Sequence, residues 1–206
     1  MGSDCDADVR RWDSRYGGTD YYYGTEPNDF LREQSAAIVA GGRVLCLGEG
    51  EGRNAVFLAA QGHHVTALDQ SAAGLAKAAL LARERHVAID TVRADLDDYV
   101  IAPAAWDAIV SIWCHVRAPL RRRLHRAVAG GLRPGGVFVL EAYTPAQLRL
   151  GTGGPTQPEL LATLAELREE LAGLEFVHGV ERERIVSEGK KHVGLSAVVQ
   201  VLARRP

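Results

Sequence analysis

Three glycines at alternate positions lie between an apolar run and a helical pattern in the stretch from Val44 to Ser71. Gly48, Gly50 and Gly52 follow the apolar run and precede RNAVFLAA. Glycine permits positive φ and leaves no side chain between a ligand and the backbone. The amides at a helix N-terminus attract polar ligands. The pattern therefore predicts a ligand-binding loop between a strand and a helix.

The spacing of these glycines disfavours two common nucleotide sites. The loop reads G-x-G-x-G, and Arg53 stands where a dinucleotide-binding loop has its third glycine. The loop also lacks the Lys-Ser or Lys-Thr pair of a nucleoside-triphosphate loop. An NAD-linked oxidoreductase is therefore a weak alternative.

Two acids follow the next two apolar runs. Asp69 stands 17 residues after Gly52, and Asp95 lies in the sequence Ala94-Asp95-Leu96. A carboxylate at the first position can accept hydrogen bonds from both ribose hydroxyls, and one at the second can receive an adenine amine. An adenosine with no phosphate fits the loop and these acids. Ordinary solvated acids are the alternative, above all for Asp95, since Asp97 and Asp98 lie beside it.

Short apolar runs alternate with helical patterns along the chain, which indicates βα units and a mostly parallel sheet. The C-terminal part instead has two β-type segments joined by SEGKKH, too short a turn for anything but antiparallel strands. The predicted strands are 44–47, 63–68, 88–93, 106–113, 136–141, 175–186 and 193–203, and the predicted helices are 53–61, 71–85, 117–129 and 159–171.

These motifs together resemble the class I S-adenosylmethionine-dependent methyltransferases over nearly the whole chain. The first motif of that family matches Leu47 to Gly52, its ribose acid matches Asp69, and its adenine-side acid matches Asp95. The turn LRPGG before the fifth strand matches a further recurrent element. The resemblance implies an α/β fold with a seven-stranded Rossmann-like sheet, order 3-2-1-4-5-7-6, strand 7 antiparallel and helices on both faces.

Within that family, DYYYGTEPNDFL and SIWCHV resemble the tellurite-resistance and thiopurine-type enzymes that act on small molecules. The resemblance implies S-adenosyl-L-methionine as the cofactor. One position departs from many relatives, because Cys46 stands where they have an acid. The expected cofactor-binding residues are Gly48, Glu49, Gly50, Gly52, Asn54, Asp69, Gln70, Asp95, Leu96, Trp12 and Tyr23.

An aromatic cluster near the N-terminus comprises Trp12, Tyr16 and Tyr21 to Tyr23, beside glycines 17, 18 and 24. Core packing would explain part of it. Mobile glycine-flanked rings also suit a lid that excludes water and packs against a cationic sulfonium. We expect one domain, 1–206, with residues 1–42 as a lid segment and 43–206 as the core.

Two residues at the end of the fourth strand could face an acceptor, because ligands bind at this sheet edge. Cys114 is interpreted as a small core residue. His115 is the candidate catalytic residue, with a structural histidine as the alternative reading. No unmistakable base is present, so a soft nucleophile such as a thiol or another chalcogen is the expected acceptor. An O- or N-methyltransferase with His115 as base, or a non-catalytic binding module, are the alternatives.

Composition narrows the possible partners. Lys and Arg number 24 against 26 Asp and Glu, which gives no basic excess for nucleic acid. Arg121, Arg122, Arg123 and Arg126 share a helix with an apolar stripe and are expected on its solvated face. The histidines show no metal-ligand spacing, and no apolar window is long enough for a membrane span. We expect a cytoplasmic enzyme with a small-molecule substrate, no metal, no nucleic acid and no membrane partner; the sequence leaves the oligomeric state open.

Overall fold

The computed structural model describes residues 2–190 and 192–206, with side chains from residue 7 onward. Three 3-10 helices, Ser35–Ala37, Pro145–Arg149 and Pro158–Leu160, accompany the main elements. The α-helices are α1 (Gly2–Tyr16), α2 (Asp29–Gln34), α3 (Arg53–Ala60), α4 (Ala72–Glu84), α5 (Ala118–Gly131) and α6 (Leu164–Glu170). The strands are β1 (Arg43–Leu47), β2 (His64–Asp69), β3 (Asp90–Arg93), β4 (Trp106–Ile112), β5 (Leu132–Tyr143), β6 (Glu175–Glu188) and β7 (His192–Arg204).

All seven strands form one sheet in the order β3-β2-β1-β4-β5-β7-β6. The pairs among β1 to β5 are parallel, while β7 is antiparallel to both β5 and β6. The predicted α/β architecture and strand order are therefore confirmed. As a result, the carboxyl ends of β1 to β6 and the amino end of β7 all meet at one edge of the sheet.

Helices cover both faces of the sheet, as the alternation of side chains along each strand requires. Val44 and Cys46 of β1 pack with residues of α2, α3 and α4, while Leu45 and Leu47 pack on the other face with α5 and α6. None of the helices in the described part of the chain is long and apolar enough to cross a membrane.

Several element boundaries differ from the predicted ones; β5, for example, spans Leu132–Tyr143 and not only 136–141. The leucine-rich stretch 159–171 begins as a 3-10 turn, and α6 starts only after Thr163. Thr163 and Glu166 form a reciprocal capping box that fixes this start. The hairpin of β6 and β7 is longer than predicted, because Gly189 at φ 65° allows a tight turn between Glu188 and His192.

Arg121 corrects the prediction that the arginines of α5 all lie on a solvated face. Its side chain is only 7% exposed, forms a bidentate pair with Glu170 at 3.0 Å and donates to the Leu161 carbonyl. His125 lies 2.7 Å from the same carboxylate. The spacing of residues in the sequence could not predict this cluster, because Glu170 lies on α6, 49 residues along the chain from Arg121.

Substitution Arg121→Ala should destabilise the protein by about 3–5 kcal/mol, because it leaves the Glu170 carboxylate buried with little compensation. Arg122→Ala is the matched control, since Arg122 is exposed and should change stability by less than about 0.5 kcal/mol. Urea denaturation of the two variants and the parent measures both effects. Equal stabilities for the two variants would contradict the structural role of Arg121.

Candidate active site

The glycine loop connects β1 to α3. Its three glycines stand at alternate positions and all have positive φ: Gly48 at 62°, Gly50 at 61° and Gly52 at 90°. Close packing reinforces the need for glycine. A Cβ on Gly48 would lie 2.8 Å from the Cys114 sulfur, and one on Gly52 would lie 2.5 Å from the Ala78 side chain on α4. The loop therefore runs tightly between α4 and the end of β4.

Asp69 ends β2 directly beside this loop. Its carboxylate accepts the backbone N–H groups of Gly50 and Ser71, both at 2.8 Å, and the residue is 8% exposed. Burial raises the pKa of Asp69, although the backbone hydrogen bonds act in the opposite direction. A carboxylate has about four acceptor positions, so Asp69 can still accept hydrogen bonds from a pair of hydroxyls.

The second predicted acid lies on the neighbouring strand end. Asp69 pairs with Arg93 at the end of β3, and Asp95 follows two residues later. The Asp95 carboxylate accepts the Asp97 N–H at 2.8 Å, which orders the turn. Leu96 packs partly buried against the core. The structure thus brings Asp69, Asp95 and Leu96 to the same edge of the sheet, and Gln70 lies between strand and helix there.

Glu49 caps α3 from within the glycine loop. One carboxylate oxygen accepts the N–H groups of Asn54 at 3.0 Å and Ala55 at 2.8 Å. Burial raises the pKa of Glu49 to about 7, and the helix amides only partly offset this rise. The buried Cys46 thiol lies beside this carboxylate and has a pKa raised well above its ordinary value. Glu49 therefore places a carboxyl group beside Cys46, the position at which this sequence departs from many relatives.

The N-terminal segment that we expect to act as a lid folds back over the glycine loop. Tyr16 is buried between Gly50 and Gly74, and a Cβ on Gly50 would lie 2.7 Å from its hydroxyl. Trp12 stacks on Tyr16 with ring centroids 5.5 Å apart. Asp13 accepts a 2.5 Å hydrogen bond from the Ser71 hydroxyl at the start of α4. Trp12 and Tyr16 are thereby placed next to the loop that sequence analysis singled out.

The tyrosine run is held by a buried acid of the glycine loop. Glu51 accepts the N–H groups of Tyr22 at 2.7 Å and Tyr23 at 3.3 Å and also pairs with Lys77 at 2.8 Å. From the opposite side, the Lys190 N–H donates to the Tyr22 carbonyl at 3.1 Å. Arg15 donates to the Tyr23 hydroxyl at 3.1 Å.

The guanidinium of Arg15 contacts the aromatic rings of this region. Its guanidinium lies over the rings of Trp12 at 4.7 Å and Tyr22 at 5.2 Å. Within the described residues it forms no ion pair with a carboxylate, unlike the nearby Lys77. The Arg15 guanidinium therefore has N–H donors left for an anionic group that approaches the glycine loop from the side of the lid segment.

Glu188 is the centre of a buried polar network at the tip of the β6–β7 hairpin. The residue is 5% exposed and accepts hydrogen bonds from Trp113 at 2.6 Å, Asn28 at 2.8 Å and Arg184 at 3.1 Å, as well as from Arg53. Burial would raise its pKa, but Arg53, Trp113 and Arg184 hold it below the ordinary value. One carboxylate therefore ties together the lid segment, the start of α3 and the end of β4.

Glu141 of β5 forms the other half of this network. Arg184 donates to both its oxygens at 2.8 Å, Gln200 donates at 2.7 Å and Asn28 at 2.5 Å. With the nearby Arg53 and Glu188, the network contains two arginines and two carboxylates, whose formal charges cancel. The side chain of Glu141 is therefore fully engaged within the protein and is not free to act as a base.

An aromatic cluster lies at the ends of β4 and β5. Trp113 has φ 55°, an uncommon value for a bulky residue, and its ring stacks on Tyr143 at 4.4 Å. His192, the first residue of β7, contacts Trp113 at 5.1 Å and Tyr143 at 5.5 Å. Tyr23 of the lid contacts His192 at 4.7 Å. The lid and the sheet edge therefore meet at these four rings.

His115 stacks beside the cluster, 5.5 Å from Tyr143. The Tyr143 N–H donates to its Nε2 at 3.2 Å, so the neutral ring carries its proton on Nδ1. Burial lowers the pKa of His115 to about 4, so the ring is neutral near pH 7. The adjacent Cys114 thiol has a pKa raised to about 12 by burial, which is in line with the core role expected for it.

Several residues of this region could not be singled out from the sequence alone: Arg15, Asn28, Trp113, Arg184, Glu188 and His192. One signal was available for two of them. Glu188 ends β6 and His192 begins an antiparallel strand, so both must lie at the edge where the parallel strands end. Among the residues that the structure describes, no three His, Cys, Asp or Glu side chains form a group suited to a metal ion.

Replacement Glu49→Gln should remove a pH dependence of stability. Folded Glu49 keeps its proton up to about pH 7, whereas the unfolded chain loses it near the ordinary value of 4.5. Stability of the parent should therefore fall as pH rises between these values, by up to about 3 kcal/mol. Glutamine keeps an oxygen for the Asn54 and Ala55 amides but carries no charge. The free energy of unfolding of the variant should therefore increase relative to that of the parent as pH rises, and this difference should persist above pH 7.

Urea denaturation at a series of pH values measures this difference, with the exposed Glu33→Gln as control. The control should follow the parent throughout. If the free energies of unfolding of Glu49→Gln and the parent change in parallel from pH 4 to 8, the prediction that Glu49 is buried in its protonated form is wrong.

The comparisons with known proteins agree with this geometry. Residues 44–136 match a family model described as a methyltransferase domain. A search of curated protein sequences gave no match.

Solved structures show the same fold. One, from work on the conversion of a disulfide bond into a thioacetal group during echinomycin biosynthesis, has a TM-score of 0.75 at 21% identity over 96% of this chain and 92% of that chain. TehB from Haemophilus influenzae has a TM-score of 0.69 at 20% identity over 96% of this chain and 67% of its own. A TehB-like S-adenosylmethionine-dependent methyltransferase from Corynebacterium glutamicum has a TM-score of 0.61 at 18% identity, with both chains fully covered.

The fold, the matched segment and the arrangement at the sheet edge lead to one conclusion. The matched segment begins at β1 and includes the glycine loop, Asp69 and Asp95. Residues 44–136 match a methyltransferase domain, and the chain around them has the fold of solved S-adenosylmethionine-dependent methyltransferases.

Proposed function

We propose that this enzyme transfers the methyl group of S-adenosylmethionine to a small molecule whose accepting atom is a soft nucleophile, a thiol sulfur or another chalcogen. The observation that carries the acceptor class is the hydrogen bond from the Tyr143 N–H to His115 Nε2 at 3.2 Å. It occupies the nitrogen with which a neutral His115 would otherwise take a proton. An acceptor that needs no positioned base fits this site best.

The residues at the sheet edge fit the cofactor. The buried Asp69 carboxylate has acceptor positions left for ribose hydroxyls, and Asp95 and Leu96 lie on the next strand end for an adenine. The loop of Gly48, Gly50 and Gly52 presents backbone between them. In this proposal these residues, with Gln70 and Asn54 at the adjoining helix starts, hold the adenosyl half of the cofactor.

The charged ends of the methionine half require groups of opposite sign. Arg15 of the lid has no carboxylate partner in the described residues and would meet the methionine carboxylate. Glu49 would meet the ammonium group, in place of the acid that Cys46 lacks. Contact with an ammonium favours the ionised form of a carboxyl group, so cofactor binding should draw the Glu49 pKa down from about 7.

When bound, S-adenosylmethionine supplies a methyl group made electrophilic by its sulfonium. The task of the protein is then to align the acceptor with that methyl group and to exclude water, which can equal an effective concentration of about 10⁵ M or more. Trp12, Tyr16 and Tyr23 cover the glycine loop, and Trp113 and Tyr143 form the neighbouring wall. Aromatic faces next to a sulfonium also stabilise its charge.

Two further observations support sulfur as the accepting atom. The similar structure from echinomycin biosynthesis concerns the conversion of a disulfide bond into a thioacetal group, which is sulfur chemistry. The carboxylate of Glu141, a second conceivable base, is bound by Arg184, Gln200 and Asn28. An O- or N-methyltransferase with His115 as base and a non-catalytic binding module are the alternatives that the following tests address.

Formation of S-adenosylhomocysteine with a panel of thiol, selenol, phenol and amine acceptors tests the acceptor class. We expect turnover of thiols and selenols and little with phenols or amines. Substitution His115→Ala should leave thiol turnover within about tenfold of the parent, because a proton-transfer role contributes typically 10²–10⁴-fold. Efficient turnover of a phenol or amine that His115→Ala abolishes, with no thiol activity, would make His115 a general base.

Substitution Asp69→Ala should weaken S-adenosylmethionine binding roughly 30- to 150-fold, since charge-assisted hydrogen bonds contribute about 2–3 kcal/mol. Asp69 also orders the Gly50 and Ser71 amides, so calorimetry should compare S-adenosylhomocysteine with its 2′,3′-dideoxy analogue. The missing hydroxyls should reduce affinity for the parent but not for Asp69→Ala. An equal loss in both proteins would place the ribose away from Asp69.

A further inference from the structure

We propose that the turn between β6 and β7 is a latch that holds the lid segment over the glycine loop, and that opening of this latch sets the rate at which the cofactor leaves the site. The latch consists of Gly189 and Lys190, which contact residues 20–24 of the lid segment. This inference rests on the proposed function, because it takes the cofactor to lie beneath the lid segment. It adds to that function a step of cofactor exchange.

Gly189 approaches the lid segment more closely than any residue with a side chain could. A Cβ at this position would lie 2.4 Å from the Tyr23 Cα and 2.5 Å from the Tyr22 carbonyl oxygen. Its φ of 65° also favours glycine. The backbone of the turn therefore rests directly on the backbone of the lid segment, and a single added methyl group would force the two apart.

Polar contacts of the next residue complete the latch. The Lys190 N–H donates to the Tyr22 carbonyl at 3.1 Å, and its ammonium group pairs with Asp20 at 2.7 Å. The ring of His192, at the start of β7, contacts Tyr23 at 4.7 Å. Neighbouring positions of one hairpin thus hold neighbouring positions of the lid segment, so a movement of the turn acts on all these contacts together.

The lid segment is held more firmly on its other side. There Glu51 accepts two backbone amides of the tyrosine run and pairs with Lys77, and these two side chains are only 3% and 11% exposed. Lys190 and Asp20 of the latch are 62% and 71% exposed. Exposed ion pairs contribute little and are screened by salt, whereas buried ones are screened much less. The latch is therefore the side that opens first.

The chain next to the latched residues permits this opening. Gly24 has φ 74° and lies where the tyrosine run ends, while Asn28 is fixed by Glu141 and Glu188. A cavity of about 230 Å³ lies between residues 23–27 and 187–189, so the two segments are loosely packed beside the turn. Release of the latch lets the tyrosine run move about Gly24 while Asn28 stays in place.

Dissociation of S-adenosylhomocysteine, followed by stopped-flow tryptophan fluorescence, tests the ion pair of the latch. Lys190→Ala should raise the dissociation rate constant roughly two- to fivefold. Its difference from the parent should shrink as the NaCl concentration rises from about 50 to about 500 mM. Arg133→Ala is the matched control, because Arg133 pairs with Asp107 at the opposite edge of the sheet, and it should leave the rate constant unchanged.

The close approach of Gly189 is tested in the same way. Gly189→Ala forces the turn and the lid segment apart and should raise the dissociation rate constant about tenfold or more. Gly41 has a similar φ of 69°, and a Cβ there would meet no atom within 4 Å. Gly41→Ala therefore introduces similar backbone strain without the contact. It should lower the melting temperature but leave the rate constant at the value of the parent.

Hydrogen exchange without cofactor separates the latch from the proposed function. Peptides that cover residues 20–24 should exchange faster in Lys190→Ala and Gly189→Ala than in the parent and the two control variants. Exchange at the rate of the parent in both latch variants, or dissociation rate constants that both leave unchanged, would overturn this inference. Faster exchange in the latch variants of a protein that does not bind S-adenosylhomocysteine at all would instead overturn the proposed function.

Discussion

The burial of the Glu188 carboxylate is the constraint on which the rest of the site depends. A charge removed from water is tolerated only when it is fully paired and hydrogen-bonded, and Glu188 meets this condition with donors from Trp113, Asn28, Arg53 and Arg184. Those donors come from the end of β4, the lid segment, the start of α3 and β6. Any arrangement that satisfies the carboxylate therefore also fixes the lid against the sheet edge and holds the Trp113 indole beside Tyr143.

A second set of carboxylates performs the corresponding task on the cofactor side. Asp13 binds the start of α4, Glu51 binds the backbone of the tyrosine run, and Glu49 caps α3. Each accepts amides or hydroxyls that would otherwise lie without partners at a helix start or a loop. Acids thus join the lid, the glycine loop and the helices, while Asp69 keeps acceptor positions that the described residues leave unused.

Local patterns in the sequence predicted the strands and the edge at which Asp69 and His115 lie, because hydrophobic period and glycine spacing are encoded over a few residues. The order of the strands was implied by the resemblance to a known family. The same patterns could not predict the partners of Arg121 or Glu188. Arg121 meets Glu170 across 49 residues, and Arg53 meets Glu188 across 135. Such pairs depend on how α6 and the β6–β7 hairpin pack, which no local period specifies. Arg121 was wrongly expected in solvent because its helical face was judged without α6.

In the proposed function, the two networks also leave the acceptor side of the site apolar in character. Two arginines near it, Arg53 and Arg184, are bound to Glu188 and Glu141, and His115 uses Nε2 to accept the Tyr143 amide. Well-packed apolar residues can replace a buried ion pair without loss of stability, so stability alone does not account for the charges. Their geometric effect is specific, since they orient Trp113 and seat Asn28 of the lid. The polar groups of the site thus position its walls, and in the proposed function chemical reactivity is left to the cofactor and to an acceptor that is already nucleophilic.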